Sequence, residues 1–203
     1  MTGTVADGSP ISELIDSYRR LTSADIPDGL YVALTEALTN VRQHAYPPDS
    51  PIPPHLRRWW LFSKYEEPEG GREGSLYVGV YDIGIGIQTS MRRRMKPGEK
   101  LLDAAGNLLE MAGKSTSLVD RVLLAAAVER LRSSTGEAFR GNGLPEMRDF
   151  VLRTTSGRLS IVAGQSQHTS MAKNPRASAY ESQRMFGTLI VWSIPLQPKE
   201  KPK

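Results

Sequence analysis

The sequence predicts an α/β (α+β) two-layer sandwich in which helices cover one face of a mixed β-sheet. Two pairs of strand-like segments lie within residues 57–82 and 158–195, and segments with helical periodicity precede and separate them. At 203 residues, of which 39% are hydrophobic, the chain has the size and apolar content of one ordinary domain. We therefore expect one domain over residues 1–196 and a charged, disordered tail over residues 197–203.

Composition narrows the classes of protein to be considered. The chain has no cysteine, which excludes disulfides and thiolate metal sites and fits a reducing compartment. The first residues lack the basic and apolar segments of a secretory leader, and no apolar run approaches the roughly 18 residues of a membrane span. We therefore expect a cytoplasmic protein with no membrane partner.

The charge balance is basic, with a formal net charge of +4 and an isoelectric point near 9.4. Such a charge permits an acidic partner, for example a nucleotide or an acidic protein. The basic residues are scattered, apart from a short run made of Arg92, Arg93, Arg94 and Lys96. Because the aromatic and basic signature of a nucleic-acid module is not visible, we expect no nucleic acid partner.

The first half of the chain contains one clear helix and two strands. Apolar residues recur at helical spacing from Leu30 to Val41, which predicts a helix that ends before Pro47. The segments Arg57–Lys64 and Ser75–Asp82 are rich in aromatic and branched residues. An acidic, glycine-rich turn joins these two segments, so they are expected to pair as a hairpin.

The second half begins with an insert of weak periodicity over residues 88–140. We expect one helix within it, capped by Ser117, and then a helix over residues 144–153 that a glycine turn opens. Strands are predicted at residues 158–163 and 187–195, with a polar loop between them. The apolar face expected for the helix in the insert consists of Leu118, Val122, Ala125, Ala126 and Leu131.

Two polar patterns are candidates for chemistry. On the first helix Glu36, Asn40 and His44 form an i, i+4, i+8 stripe, which is either a solvated edge or a site where a carboxylate orients water, an amide binds Mg²⁺ and a histidine meets phosphate or a partner. In the stretch VYDIGIGI, Asp82 and the glycines that follow it are either a tight turn or a ligand loop. Neither pattern alone decides between its two interpretations.

Four short motifs follow one another along the chain: Glu36-x3-Asn40, Asp82-x-Gly84-x-Gly86, Gly141-x-Gly143-Leu144 and Gly187-Thr188. In this order and at these separations they resemble the GHKL ATPase superfamily, which includes gyrase-type topoisomerases, a heat-shock chaperone, histidine kinases and MutL. The resemblance covers residues 30–196 and implies a Bergerat-type ATP-binding fold. Within that fold, residues 88–140 would be the ATP lid.

The resemblance also implies roles at the adenine end of an ATP site. Asp82 would accept a hydrogen bond from the adenine amino group, and Thr188 would reach the adenine directly or through water. Gly84 and Gly86 would let the backbone approach the base and the sugar, because they carry no Cβ.

At the phosphate end, Asn40 would bind Mg²⁺ and Glu36 would be the catalytic carboxylate that activates water. Gly141, Gly143 and Leu144 would present a helix N-terminus to phosphate, and His44 would lie beside it. Among the cations of the lid, Arg140 is the first candidate for the γ-phosphate. Its alternatives are Arg92, Arg93, Arg94, Lys96, Lys100 and Lys114.

The run TEALTNVRQHAYP, residues 35–47, resembles the free-standing bacterial anti-sigma and serine kinase regulators. This implies a Mg²⁺-dependent ATP-binding protein that acts on a regulatory protein partner, as a protein kinase or as a slow ATPase. A nucleotide-binding signalling module without turnover, which switches partner binding through its lid, is the alternative. Either form is compatible with a homodimer.

Overall fold

The computed structural model describes residues 1–3, 9–22, 24–94, 116–129 and 143–196. Within them five strands form one antiparallel sheet, and five α-helices accompany it. The strands are β1 (Thr2–Gly3), β2 (Trp59–Glu66), β3 (Gly74–Asp82), β4 (Arg158–Met171) and β5 (Asn174–Leu196). The helices are α1 (Ser9–Leu21), α2 (Gly29–Asn40), α3 (Ile87–Arg94), α4 (Thr116–Val128) and α5 (Gly143–Leu152).

The sheet has the strand order β1-β2-β3-β5-β4. Every pairing between described strands is antiparallel, so the expected mixed sheet is wrong. Connectivity accounts for two of these pairings: β2 and β3, and likewise β4 and β5, follow each other through short turns, and a short turn reverses the direction of the chain. The predicted hairpin of the first two strand segments is confirmed, in a register that places Trp59 opposite Asp82.

The core lies on one face of the sheet, as expected for two layers. Alternate residues of β3 and β5 are buried, while those between them are more exposed or lie on the opposite face. Helices α2, α4 and α5 pack against the sheet. Among the largest buried side chains of this core are Leu30, Leu34, Leu61, Leu76, Trp192 and Ile194.

Helix α2 confirms the first predicted helix. Its side chains Leu30, Leu34 and Leu38 are buried at i, i+4, i+8 spacing. The chain continues without a break into a π-helical turn, Val41–Ala45, before it leaves the helical conformation at Tyr46. Because a π turn widens the helix, it re-aims the side chains that follow α2.

Strand β4 folds back on itself at Gly164, whose φ is 57°. The backbone N–H of Ala172 donates to the carbonyl oxygen of Gly157 over 3.0 Å. Ser160 Oγ lies 3.5 Å from Thr169 Oγ1, although the two residues are nine positions apart and a straight strand would separate them by about 30 Å. The two halves of β4 therefore lie side by side.

The polar loop predicted between residues 163 and 187 is wrong, because β4 and β5 continue through most of it. Ser166, His168 and Ser170 alternate along the second half of β4 and are buried. A buried strand face built from polar residues lacks the apolar alternation by which strands are recognised in a sequence.

The two predicted helices of the second half are confirmed as α4 and α5. The face assigned to α4 is right at Ala126, which is buried, but wrong by one position before it, since Val119 and Leu123 are buried whereas Leu118 and Val122 remain half-buried. Most of the expected lid, including Leu131 and Arg140, and the expected disordered tail lie outside the described residues. None of the helices in the described part of the chain has the length and apolar content needed to cross a bilayer.

Candidate functional site

A pocket opens between α2 with its π-helical turn, α3, the first turn of α5, the end of β3 and the adjoining part of β5. Its space is about 60 Å³, which admits a few water molecules but no purine ring unless the wall moves. Its wall brings together six residues of the predicted site and several that were not predicted. The predicted residues are Asn40, His44, Asp82, Gly86, Leu144 and Thr188; Arg94 is one of the alternative cations, and the residues not predicted include Val80, Ser90 and Ile190.

Asp82 ends β3 with only 5% of its surface exposed. The backbone N–H of Gly84 donates to its Oδ1 over 2.7 Å, and the backbone N–H of Thr188 also donates to the carboxylate. Burial raises the pKa of Asp82 to about 7, and these two hydrogen bonds oppose the rise. The pocket thus contains a fixed acceptor between apolar walls, whose charge changes near neutral pH.

The glycine loop after Asp82 is held tightly to the end of the π-helical turn. A Cβ on Gly84 would lie 2.4 Å from the carbonyl oxygen of Ala45, and the N–H of Ile85 donates to that oxygen over 2.9 Å. Tyr46 supports the loop from below, because its hydroxyl accepts the N–H of Ile83 and donates to the carbonyl oxygen of Arg58. Only a residue without a side chain fits at position 84.

Glu36 and Asn40 face the first residue of α5. A Cβ on Gly143 would lie 2.7 Å from Glu36 Oε2 and 3.2 Å from Asn40 Nδ2. Burial, and then the neighbouring Glu146 carboxylate, raise the pKa of Glu36. The side chains of Glu36 and Asn40, which lie one turn apart on α2, therefore face the N-terminus of α5.

The Asn40 side chain has an unused polar atom, since its Nδ2 is buried without a hydrogen-bond partner among the described residues. Which end of an amide carries the nitrogen is assigned from the surrounding hydrogen bonds, so either end can be turned to a ligand. The described residues hold no group of three or more His, Asp or Glu side chains that could bind a metal. A Mg²⁺ ion would therefore be held by Asn40 together with oxygens of its ligand and water, as Mg²⁺ commonly is.

His44 and Arg94 meet at the open side of the pocket. Arg94 Nη1 donates to His44 Nε2 over 3.3 Å, so the imidazole is neutral and carries its proton on Nδ1. Burial, and then the charge of Arg94, lower the pKa of His44, and burial lowers the pKa of Arg94. The cation that contacts His44 in this structure is therefore Arg94, a residue of the chain itself.

The other predicted site residues stand as follows. Gly86 has a φ of 77°, which favours glycine, and Thr188 is almost fully buried. Arg140 and Gly141 lie outside the described residues, as do Lys96, Lys100 and Lys114.

Ser90, which the sequence does not predict for the site, lines the pocket together with Arg94, which is one of the alternatives to Arg140. Their spacing from Ile87, i+3 for Ser90 and i+7 for Arg94, places all three on one face of α3. A helix predicted from Ile87 onwards would have placed Arg94 on the face of Ile87 and would thus have distinguished it from the two arginines before it.

No protein-family model matches this chain, and no curated protein matches it either.

Proposed function

We propose that the chain is a Mg²⁺-dependent ATP-binding protein of the GHKL type, which acts in the cytoplasm on a partner protein as a regulatory ATPase or a serine/threonine kinase. One observation carries this proposal. Residues from each of the four motifs, at positions from 40 to 188, line a single pocket, and Glu36 lies beside it at Gly143. If the four motifs were unrelated turns and helix caps, their residues would not be expected to line the same pocket.

The adenine end of the proposed site is built around Asp82. A buried carboxylate beside the cross-strand pair of Val80 and Ile190 is a strong acceptor for the exocyclic amino group of adenine, because little water competes for it. Guanine would place a carbonyl oxygen at the same point and repel the charged carboxylate. The Thr188 hydroxyl lines the same end and can donate to a ring nitrogen or to a bridging water.

The phosphate end is built around the first turn of α5. The first backbone N–H groups of a helix have no partner within the helix, and the helix dipole favours anions there. Gly143 begins α5 directly beside Glu36 and Asn40. An anion at this turn would have Asn40 within reach for Mg²⁺ and Glu36 within reach of an attacking water.

Glu36 supports turnover rather than binding alone. A raised pKa makes a carboxylate a better base, and burial beside Glu146 produces that shift. The alternative, a signalling module without turnover, uses the same pocket and assigns no chemistry to Glu36. The two are therefore separated by what happens when Glu36 is removed.

Calorimetry with Mg²⁺-ATP tests the proposal. We expect ATP to bind the wild type, Asp82→Asn to reduce the affinity at least tenfold, and Asp16→Asn, an exposed carboxylate on α1, to leave it unchanged. Absence of ATP affinity in the wild type, or an affinity untouched by Asp82→Asn, would contradict it.

Phosphate release and phosphotransfer to a partner then decide between turnover and passive binding. We expect Glu36→Ala to bind ATP as the wild type does and to lose turnover. Should the wild type show neither hydrolysis nor transfer, the module without turnover is the correct description.

A further inference from the structure

We propose that Arg94 closes the pocket against His44 and opens it by moving onto the phosphate groups of an incoming nucleotide, so that the pocket selects phosphorylated adenine ligands over uncharged nucleosides. This inference rests on the proposed function and names the class of ligand that the same site accepts. It also assigns a residue that the four sequence motifs do not contain.

The three consecutive arginines of α3 have different partners. Arg92 is paired with Asp120 at 2.8 Å and Arg93 with Asp49 at 2.7 Å. Arg94 has no carboxylate partner among the described residues; it donates to the neutral His44 and, through Nε, to the carbonyl oxygen of Ser90 at 3.3 Å. A guanidinium that lines a pocket with only neutral acceptors is the group that an anionic ligand would stabilise most.

The exchange of partners is favourable on physical grounds. An imidazole nitrogen offers one neutral acceptor, whereas a phosphate group offers charged oxygens in the spacing that a guanidinium matches with two parallel hydrogen bonds. The bond to His44 has a charged donor only, whereas the bonds to phosphate join a charged donor to a charged acceptor and form as a parallel pair. A phosphorylated ligand therefore supplies the energy that separates Arg94 from His44, and a nucleoside does not.

The position of Arg94 makes this exchange a condition of entry. Its side chain lines the pocket yet remains more than a third exposed, so it lies where the pocket opens to solvent. The space behind it is about 60 Å³. An arginine side chain reorients by rotation about single bonds, so its movement enlarges the pocket without any change in the backbone.

Binding measurements with matched variants test the selectivity. We compare Mg²⁺-ATP with adenosine on the wild type, Arg94→Gln and Arg93→Gln. We expect Arg94→Gln to weaken ATP about tenfold while adenosine binds equally or several-fold more tightly, and Arg93→Gln to change neither by more than about twofold. An equal loss for both ligands, or no change for either, would overturn the inference.

Two further arms keep this test separate from that of the proposed function. Inorganic tripolyphosphate replaces ATP in the first; it should bind the wild type and bind Arg94→Gln about tenfold less tightly, and equal binding to both contradicts the role of Arg94. In the second, the His44 imidazole is titrated by NMR, and Arg94→Gln should raise its pKa because a repelling charge is removed. An unchanged His44 pKa would mean that the pair does not form in solution, whatever the protein binds.

A wild type that binds tripolyphosphate but neither adenine ligand would refute the proposed function and the selection for adenine ligands, and would leave Arg94 as an anion-binding residue. A wild type that binds ATP with the same preference over adenosine as Arg94→Gln would refute only the inference.

Discussion

The backbone N–H of Gly84 donates a hydrogen bond of 2.7 Å to Oδ1 of Asp82. This bond fixes the carboxylate at the end of β3 and favours its charged form, while burial favours the neutral form and raises the pKa to about 7. Asp82 is therefore a group whose charge lowers the stability of the fold, whereas in the proposed site the same charge would strengthen a hydrogen bond from the ligand.

The substitution Asp82→Asn should change how the stability of the protein depends on pH. The pKa of Asp82 in the folded protein, about 7, lies above its ordinary value of 3.8, so the folded state binds the extra proton between these two values. Stability contributed by the protonated carboxyl is complete below about pH 4 and is lost as the pH rises towards 7. Asparagine does not titrate, so the variant should gain on the wild type across that window.

Urea unfolding at pH 5 and pH 8 measures the effect. We expect the difference in unfolding free energy between Asp82→Asn and the wild type to shift in favour of the variant by about 2–3 kcal/mol between the two pH values. The change with pH is the readout, because the hydrogen bonds of the asparagine add a constant offset. A difference that stays the same at both pH values would show that Asp82 titrates normally.

Gly143→Ala should leave the stability of the protein almost unchanged and lower its turnover. Its Cβ would lie 2.7 Å from Glu36 Oε2, the far end of a flexible side chain, so Glu36 moves aside at little cost. Because alanine also favours the helix, we expect the unfolding free energy to stay within about 1 kcal/mol of the wild type.

Turnover, in contrast, should fall at least tenfold in Gly143→Ala, since a displacement of about 1 Å at a catalytic group is enough for such a loss. Phosphate release is measured at saturating ATP, with Glu36→Ala as the reference for complete loss of the carboxylate. Full turnover in Gly143→Ala would mean that the position of Glu36 beside α5 does not matter for the reaction.

Gly187→Ala should be strongly destabilising. Gly187 has a φ of 76°, and a Cβ there would lie 1.8 Å from the carbonyl oxygen of Asp82, which belongs to the backbone and cannot turn away. Gly70→Ala is the matched control, since Gly70 has a φ of 58° with nothing within 4 Å of the added atom.

Urea unfolding should give a loss of more than about 3 kcal/mol for Gly187→Ala and about 1 kcal/mol for Gly70→Ala. The difference between them measures how closely β5 approaches the end of β3 at the pocket. Similar losses in the two variants would show that the approach is looser than the structure has it.

The sequence predicts the fold where burial follows a simple period. Helix α2 and the hairpin of β2 and β3 obey the periods of 3.6 and 2, and both were found within about two residues of their observed bounds. The second half of β4 was missed because Ser166 and His168 are polar and yet buried. The direction of the strands was missed because pairing depends on how the chain turns between segments, which residue types alone do not specify.

The candidate site could be assembled from the sequence as a set of residue types in order, but not as a geometry. Asp82 and Thr188 sit opposite each other in the register of β3 and β5, and that register follows from the whole sheet. The contact between Arg94 and His44 likewise depends on how α3 lies against the π-helical turn that follows α2. Spacing within a segment is readable in the sequence, whereas the placement of one segment against another is decided by packing.

The most direct measurement of the central claim is a double-mutant cycle between Asp82 and the amino group of adenine. Mg²⁺-ATP is compared with an analogue in which hydrogen replaces the 6-amino group, on the wild type and on Asp82→Asn. In the variant the N–H of Gly84 should hold the amide oxygen, which leaves the amide NH₂ facing the ligand as a second donor.

We expect the wild type to prefer ATP over the analogue at least tenfold, and Asp82→Asn to bind the analogue at least as well as ATP. If the preference for ATP is the same in both proteins, or if neither ligand binds the wild type, Asp82 does not recognise adenine and the account is wrong.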